Sequence, residues 1–267
     1  MKRFAVLIMI MYAILILGAC SDVGEQLEKV DTLETEKVVV MDERTEKNIE
    51  STHLDDNTIQ LDNAFSVSEY YVIQEVSAAA DFATVYPDLE SVYSAASNVL
   101  VGVVTDIQYT DDDAIPRTIY SFQVLDNLKG SVQAGSLISI SESNGYVRMS
   151  TFIDTYGDDH FENLTDEEIE NGVILQSLGG APLPSVGEEY VVFLGEQKVE
   201  GRIAGAYAVL GNFMGKYVLD AESERYSRFC PAEDATLYSV EDPRTRTISV
   251  EQPMTLEEIK AIIEQTT

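Results

Sequence analysis

The chain has 267 residues, 45% of them hydrophobic, and sets 47 Asp and Glu against 17 Lys and Arg for a formal net charge of −30. A surface this acidic excludes nucleic-acid binding, which needs positive charge against phosphate, and argues against lying flat on anionic lipid. Two cysteines, two histidines (His53 and His160) and no tryptophan exclude a disulfide framework and a Cys-rich metal centre. They also leave few of the usual general-base arrangements.

The first residues carry an address. Lys2 and Arg3 precede an apolar run from Phe4 to Leu17, closed by Gly18, Ala19 and Cys20. Fourteen helical residues would reach about 21 Å, short of the roughly 30 Å hydrocarbon core, so the run is a secretory leader rather than a spanning anchor. Leu17-Gly18-Ala19-Cys20 resembles the lipobox of bacterial lipoproteins. That resemblance implies cleavage before Cys20, a diacylglycerol (palmitate-bearing) modification on its thiol, and an extracytoplasmic protein held to the membrane by lipid. Residues 1–19 would then be removed, and no second cysteine would remain for Cys230, whose simplest role is that of a small apolar residue.

Residues 20–61 are rich in charge, Thr and Ser, with one apolar island at Val38–Met41. They are expected to form an acidic flexible tether. The folded module is expected over 62–267. In chain order, Glu69–Val76 has strand composition. Pro87–Asn98 places Leu89, Val92, Tyr93 and Ala96 at helical spacing. Asn98–Tyr109 and Arg117–Leu128 are strands joined by a polar connection at Asp111–Asp113 and Pro116, with a bulge or a sharp bend expected at Gly102. Ser136–Ser143 is a third strand, ending in an Asn144-Gly145 turn. An excursion over about 146–182 contains a helical segment, Leu164–Ile174, where Thr165 and Glu168 have capping-box spacing. Glu188–Leu194 and Gly205–Asp220 supply further strands. A helix over about 255–265, capped by Thr255 and Glu258, offers Leu256, Ile259, Ile262 and Ile263 as a docking face.

The stretches AASNVLVGVVTDI, TIYSFQVLDNLKG, GSLISI, PSVGEEYVVFL and YAVLGNFMGKYVL follow one another over residues 95–219. In that order they resemble the OB-type barrel of netrin-like and metalloprotease-inhibitor (TIMP-like) domains of bacterial surface proteins. The resemblance implies a mainly β fold: a small OB-like five-stranded barrel with a preceding short helix, an inserted helical excursion and a C-terminal helix. Inhibitory relatives chelate the protease zinc with an N-terminal cysteine beside the barrel. Here Cys20 is expected to be acylated and lies far ahead of the first barrel strand, so that mechanism does not transfer.

Candidate site residues are few. Asp154, Asp158, Asp159 and Glu162 lie in the acidic stretch Asp154–Glu168 and could bind calcium through oxygen. Their spacing does not match an EF-hand loop, and a solvated loop leading into a helix is the simpler reading. His160 sits among them. Ser177–Gly187 is glycine-rich but lacks the Lys and helix of a phosphate loop. Tyr70, Tyr71, Tyr86, Tyr93, Tyr109, Tyr120, Tyr207 and Tyr217 could line a face for a glycan or an envelope protein, or could simply fill the barrel. The leading functional reading is a non-catalytic binding module, without a cofactor and not an enzyme. The alternatives are a metal-dependent or hydrolytic envelope enzyme using Asp154–Glu168, and a protease inhibitor acting through a barrel-edge loop.

Overall fold

The structure is a computed structural model that describes residues 61, 63–78, 81–82, 84–157, 161, 163–197, 203–231, 238–239 and 251–266. Its strands are β1 (Tyr71–Ala78), β2 (Asp81–Phe82), β3 (Asn98–Thr110), β4 (Arg117–Lys129), β5 (Leu137–Glu142), β6 (Gly145–Arg148), β7 (Gly172–Leu178), β8 (Glu189–Leu194), β9 (Tyr207–Ala208), β10 (Lys216–Asp220), β11 (Arg225–Arg228) and β12 (Tyr238–Ser239). Its helices are α1 (Leu89–Ala95), α2 (Met149–Tyr156), α3 (Asp166–Asn171) and α4 (Leu256–Thr266). The fold is mainly β, as expected, with two principal sheets.

The larger sheet has seven strands in the order β11-β10-β8-β3-β4-β5-β9. Strands β3 and β8 read as nearly unbroken apolar runs because both of their faces are covered, which removes the polar half of the usual alternation. Val99, Val101, Val191 and Phe193 face one core, where α1 contributes Leu89, Val92 and Tyr93, and α4 contributes Ile259 and Ile263. Leu100, Val104, Val192 and Leu194 face a second core with Tyr120, Phe122, Val124 and Ile140. A Cβ on Gly102 would collide with the carbonyl oxygen of Gln123 and the Phe122 ring, and the β3–β4 register shifts between Val101 and Gly102, so the bulge falls where it was expected.

Local capping starts the helices. At α1, the backbone N–H of Ser91 donates to the Asp88 carboxylate at 2.8 Å, and the N–H of Asp88 donates to the Ser91 hydroxyl at 3.2 Å. At α4, Thr255 N–H donates to Glu258 at 2.7 Å and Glu258 N–H donates to the Thr255 hydroxyl at 3.2 Å. Glu251, just before α4, accepts from Leu89 N–H at 2.8 Å and from the Tyr217 hydroxyl at 2.6 Å, and pairs with Arg228 at 3.3 Å. One carboxylate thus joins α1, β10, β11 and the approach to α4.

The excursion departs most from expectation. Asn144-Gly145 does not close a hairpin. The chain leaves β5 and becomes β6 of a separate three-stranded sheet, ordered β1-β7-β6, with β7 parallel to β1 and antiparallel to β6. The helix expected over Leu164–Ile174 stops at Asn171, and Gly172–Ile174 opens β7. The β-branched pair Val173-Ile174 is buried between β1 and β6, so strand partners distant in sequence override the helical spacing. Helix α2 was not anticipated. The small sheet meets the end of β3 through the Tyr109 and Tyr146 rings, edge-on at 4.9 Å, and through Asp111, which accepts from Arg148 at 2.7 and 3.0 Å.

The ladders of the larger sheet run from β11 to β9 without closing, whereas the sequence led to a five-stranded barrel. Contacts outside the ladders nevertheless reach across it. Leu194 bridges Val209 just past β9, and Leu210 N–H donates to the Phe193 carbonyl at 2.9 Å. Lys216 on β10 and Glu142 on β5 form an ion pair with both carboxylate oxygens 2.9 Å from the ammonium, and both residues are buried.

Removing one partner of a buried pair strands a charge and costs roughly 3–5 kcal/mol, while apolar replacement of both is often neutral. Urea unfolding should therefore show Glu142→Ala losing about that much, and the triple variant Glu142→Leu, Lys216→Met, Tyr120→Phe recovering most of it.

Candidate functional site

A cleft of about 320 Å³ opens beside β5 and β9. It is lined by Ser131, Val132, Gln133 and Ser136 from the β4–β5 connection, by Leu137, Ile138 and Ser139 on β5, and by Gln197, Gly205 and Tyr207. The connection is held from beneath. Gly130 takes φ +100, where a Cβ would also meet Asn98, and the Asn98 side chain accepts from Ser131 N–H at 3.1 Å. Asn127 donates to the Gly130 carbonyl at 3.2 Å, and Gln123 donates to the Gly135 carbonyl at 2.9 Å. Val132 is 8% exposed and packs into the second core, which fixes the loop between two polar neighbours. On the far wall, Gln197 donates to the Gly205 carbonyl, and Tyr207 pairs in parallel register with Ile140.

None of the ten lining residues is charged. Three serine hydroxyls, two carboxamides and one phenol can donate to and accept from neutral polar groups, and the Tyr207 ring offers an apolar surface beside them. Among the described residues, this wall recognises by hydrogen bonds and ring contact rather than by ion pairing.

Below the cleft, Glu142 has no oxygen left unengaged. Besides the Lys216 ammonium, it accepts from the Tyr120 hydroxyl at 2.8 Å and from the Asn144 amide at 3.3 Å. The Lys216 ammonium also stands 5.4 Å from the centre of the Tyr190 ring, and Tyr190 donates to Glu188. Burial first, then the Glu142 carboxylate, pushes the Tyr120 phenol well up; burial and Glu188 raise Tyr190 likewise. The group is a structural network centred on the Glu142 carboxylate, and Glu142, Lys216 and Tyr120 are all buried.

The tyrosines named from the sequence do not converge. Tyr93, Tyr109, Tyr120 and Tyr217 are buried, Tyr71 is exposed on β1, and Tyr207 is the one of the eight that lines the cleft. Of the acidic candidates, Asp154 is exposed on α2, while Asp158, Asp159, Glu162 and His160 lie outside the described residues. Glu168 is occupied by its cap, accepting from Thr165 N–H at 2.7 Å and the Thr165 hydroxyl at 2.8 Å, which holds its carboxyl below the usual range. Among the described residues, no group of three or more His, Cys, Asp or Glu is gathered as a metal site would require. Residues of the Ser177–Gly187 loop line a second cavity of about 360 Å³ with β1 and β7. Cys230 packs beside Val85, Ala181, Phe213 and Met214. Cys20 and the lipobox lie outside the described residues, as does the tether up to residue 60. Reasoning from sequence missed the cleft because Ser and Gln in loops carry no motif, and because its two walls are distant in sequence. The signal that could have marked it is the uncharged run Gly130–Ser141 in so acidic a chain. No protein-family model matches the sequence, and no curated protein matches it.

The tyrosine shifts predict behaviour in alkali. Burial raises Tyr217 and Tyr226 as it does Tyr120 and Tyr190, and raises Tyr109 to about 12. The fold therefore holds these protons more tightly than the unfolded chain does. The resulting stability is fully present below about pH 10 and is lost as pH rises beyond it. Ultraviolet titration should show part of the 14 tyrosines ionising near pH 10 and the rest only as circular dichroism reports unfolding; a single smooth transition at the ordinary tyrosine value would contradict this.

Proposed function

We propose that this protein is a lipid-anchored, extracytoplasmic, non-catalytic binding module. In this reading an OB-like barrel holds a neutral, hydroxyl- or amide-bearing ligand in the cleft beside β5 and β9. The observation that carries it is that the described residues lining that cleft are all uncharged, in a chain of net charge −30. A ligand recognised there is selected by hydrogen bonds and ring contact rather than by ion pairing, and a glycan of the cell envelope fits both that chemistry and the expected address.

Support for the barrel comes from the order of pairings. Strands β3, β4 and β5 are antiparallel neighbours, β9 runs parallel to β5, and β8 lies antiparallel to β3. The Leu194–Val209 bridge and the β8–β10 ladder make β9 and β10 behave as one interrupted fifth strand beside β8. These contacts support reading the open sheet as an OB-like barrel, whose strand order they resemble. The buried Glu142–Lys216 pair crosses the same seam.

Support for the anchor is the Leu17-Gly18-Ala19-Cys20 motif behind a basic start and an apolar run. No helix among the described residues is long and apolar enough to cross a membrane. Lipid on Cys20, followed by an acidic tether, would hold the module close to envelope polymers.

Two measurements test this reading. In a bacterial host, an alkyne-palmitate label should mark the full chain and be absent from Cys20→Ala; labelling of that variant would remove the anchor. On an array of neutral envelope glycans, binding should fall at least tenfold in Tyr207→Ala and Gln133→Ala at unchanged melting temperature, and no binding by the parent chain would sink the ligand assignment.

A further inference from the structure

Strand β1 is the outer strand of the three-stranded sheet, and among the described residues no strand pairs with its far edge. Six of its eight residues are exposed, including Tyr71, Val72 and Val76 at 41%, 42% and 36%. An unpaired edge presents a row of backbone donors and acceptors, and soluble proteins commonly blunt such edges with lysine, proline or a very short strand. Here the sequence YVIQEVSA contains neither lysine nor proline and extends over eight residues. Its protection is limited to the bulge between Val72 and Gln74 and one charge, Glu75. Apolar side chains left standing on a long open edge are the features of a strand that receives another strand.

The surroundings state the chemistry of that strand. No Lys or Arg occurs between Lys47 and Arg117, or between Arg148 and Lys198, so α2, α3, β1 and β7 carry none. Arg148, at the end of β6, is engaged with Asp111. Exposed carboxylates flank the edge: Glu69 just before β1, Glu75 within it, and Glu167 on α3. Glu168 and Glu167 act on Tyr71, whose phenol is raised first by desolvation and then by these two charges. A second copy of this chain would bring the same acidic edge against itself and be repelled. A cationic strand would be attracted, with long-range steering toward the edge.

We propose that the free edge of β1 is a strand-addition site for an extended, lysine- or arginine-bearing segment of another polypeptide. Backbone hydrogen bonds to β1 supply the register; past the bulge, Val76 meets apolar residues of the incoming strand, and Glu75, on the opposite face with Val72, meets its cations. This surface is separate from the cleft beside β5 and β9, so a failure here leaves that reading untouched.

The test uses the full chain in detergent micelles, with fluorescent eight-residue probes of alternating valine and lysine. Three comparisons accompany it: the same peptide N-methylated at alternate backbone nitrogens, a valine–glutamate peptide, and the scrambled lysine peptide. Expected are saturable binding of the valine–lysine probe that weakens as salt rises, at least tenfold loss on N-methylation, and at least tenfold loss in Glu75→Lys and in Val72→Lys. Both substitutions fall on exposed side chains, and unchanged melting temperatures would show that the fold survives them. Amide exchange should slow along residues 71–78 when the probe binds, and Tyr207→Ala should bind the probe as the parent does. Equal affinity for the valine–glutamate peptide would overturn the charge argument. Binding insensitive to N-methylation would overturn strand addition. Binding that appears only after residues 20–60 are removed would assign the edge to this chain's own Val38–Met41 island, and sedimentation showing a dimer abolished by Val72→Lys would assign it to a second copy. Either result overturns the proposal.

Discussion

The buried contact between Glu142 and Lys216 is the constraint on which the larger sheet depends. Two charges taken out of water must satisfy each other and their remaining hydrogen-bonding capacity, or the site is destabilising. Here the capacity is met: the carboxylate receives the ammonium, the Tyr120 hydroxyl and the Asn144 amide, and the ammonium lies beside the Tyr190 ring. Because the two residues belong to β5 and β10, which are far apart in the strand order, the pair draws together strands that no ladder joins. An ion pair also specifies position more narrowly than apolar contact, since a shift along the strand leaves each charge facing hydrocarbon.

That junction sets the environment on both sides. Inward, it completes the core formed by Tyr120, Phe122, Ile140, Val192 and Leu194. Outward, it keeps β5 and β9 in the register that places Tyr207 across from the serines of the β4–β5 connection. The proposed ligand cleft is therefore a consequence of how the sheet is drawn together. The helices α1 and α4 serve the opposite face of β3 and β8, where Glu251 gathers their ends with β10 and β11. The small sheet is attached by separate contacts, chiefly the Asp111–Arg148 pair and the Tyr109–Tyr146 rings, and among the described residues the outer edge of β1 has no strand partner.

Much of the local structure was legible in the sequence because its causes are local. The capping spacings at Thr165 and Thr255 begin helices where they predict them, and the apolar face of α4 is the face that docks. The long Val- and Ile-rich runs became β3 and β4, and Gly102 marked its bulge. The failures share a cause. Gly172–Ile174 has helical spacing, and nothing within a few residues reveals that β1, about a hundred residues earlier in the chain, pairs with β7. The cleft was missed for the same reason, since Ser139, Gln197 and Tyr207 acquire meaning only as neighbours.

By itself, then, the sequence determined the charge of the molecule, its mainly β character, the positions of its caps and turns, and the motif that points to an anchor. Each is set by composition or by residues close enough to touch within one turn or one strand. Tertiary structure alone decided which strands pair, that Glu142 and Lys216 would meet, that a cleft would open beside β9, and that β1 would lie at the edge of its sheet among the described residues. Those outcomes depend on partners separated by long stretches of chain, and strand pairing and charge burial are settled only when those partners come into contact.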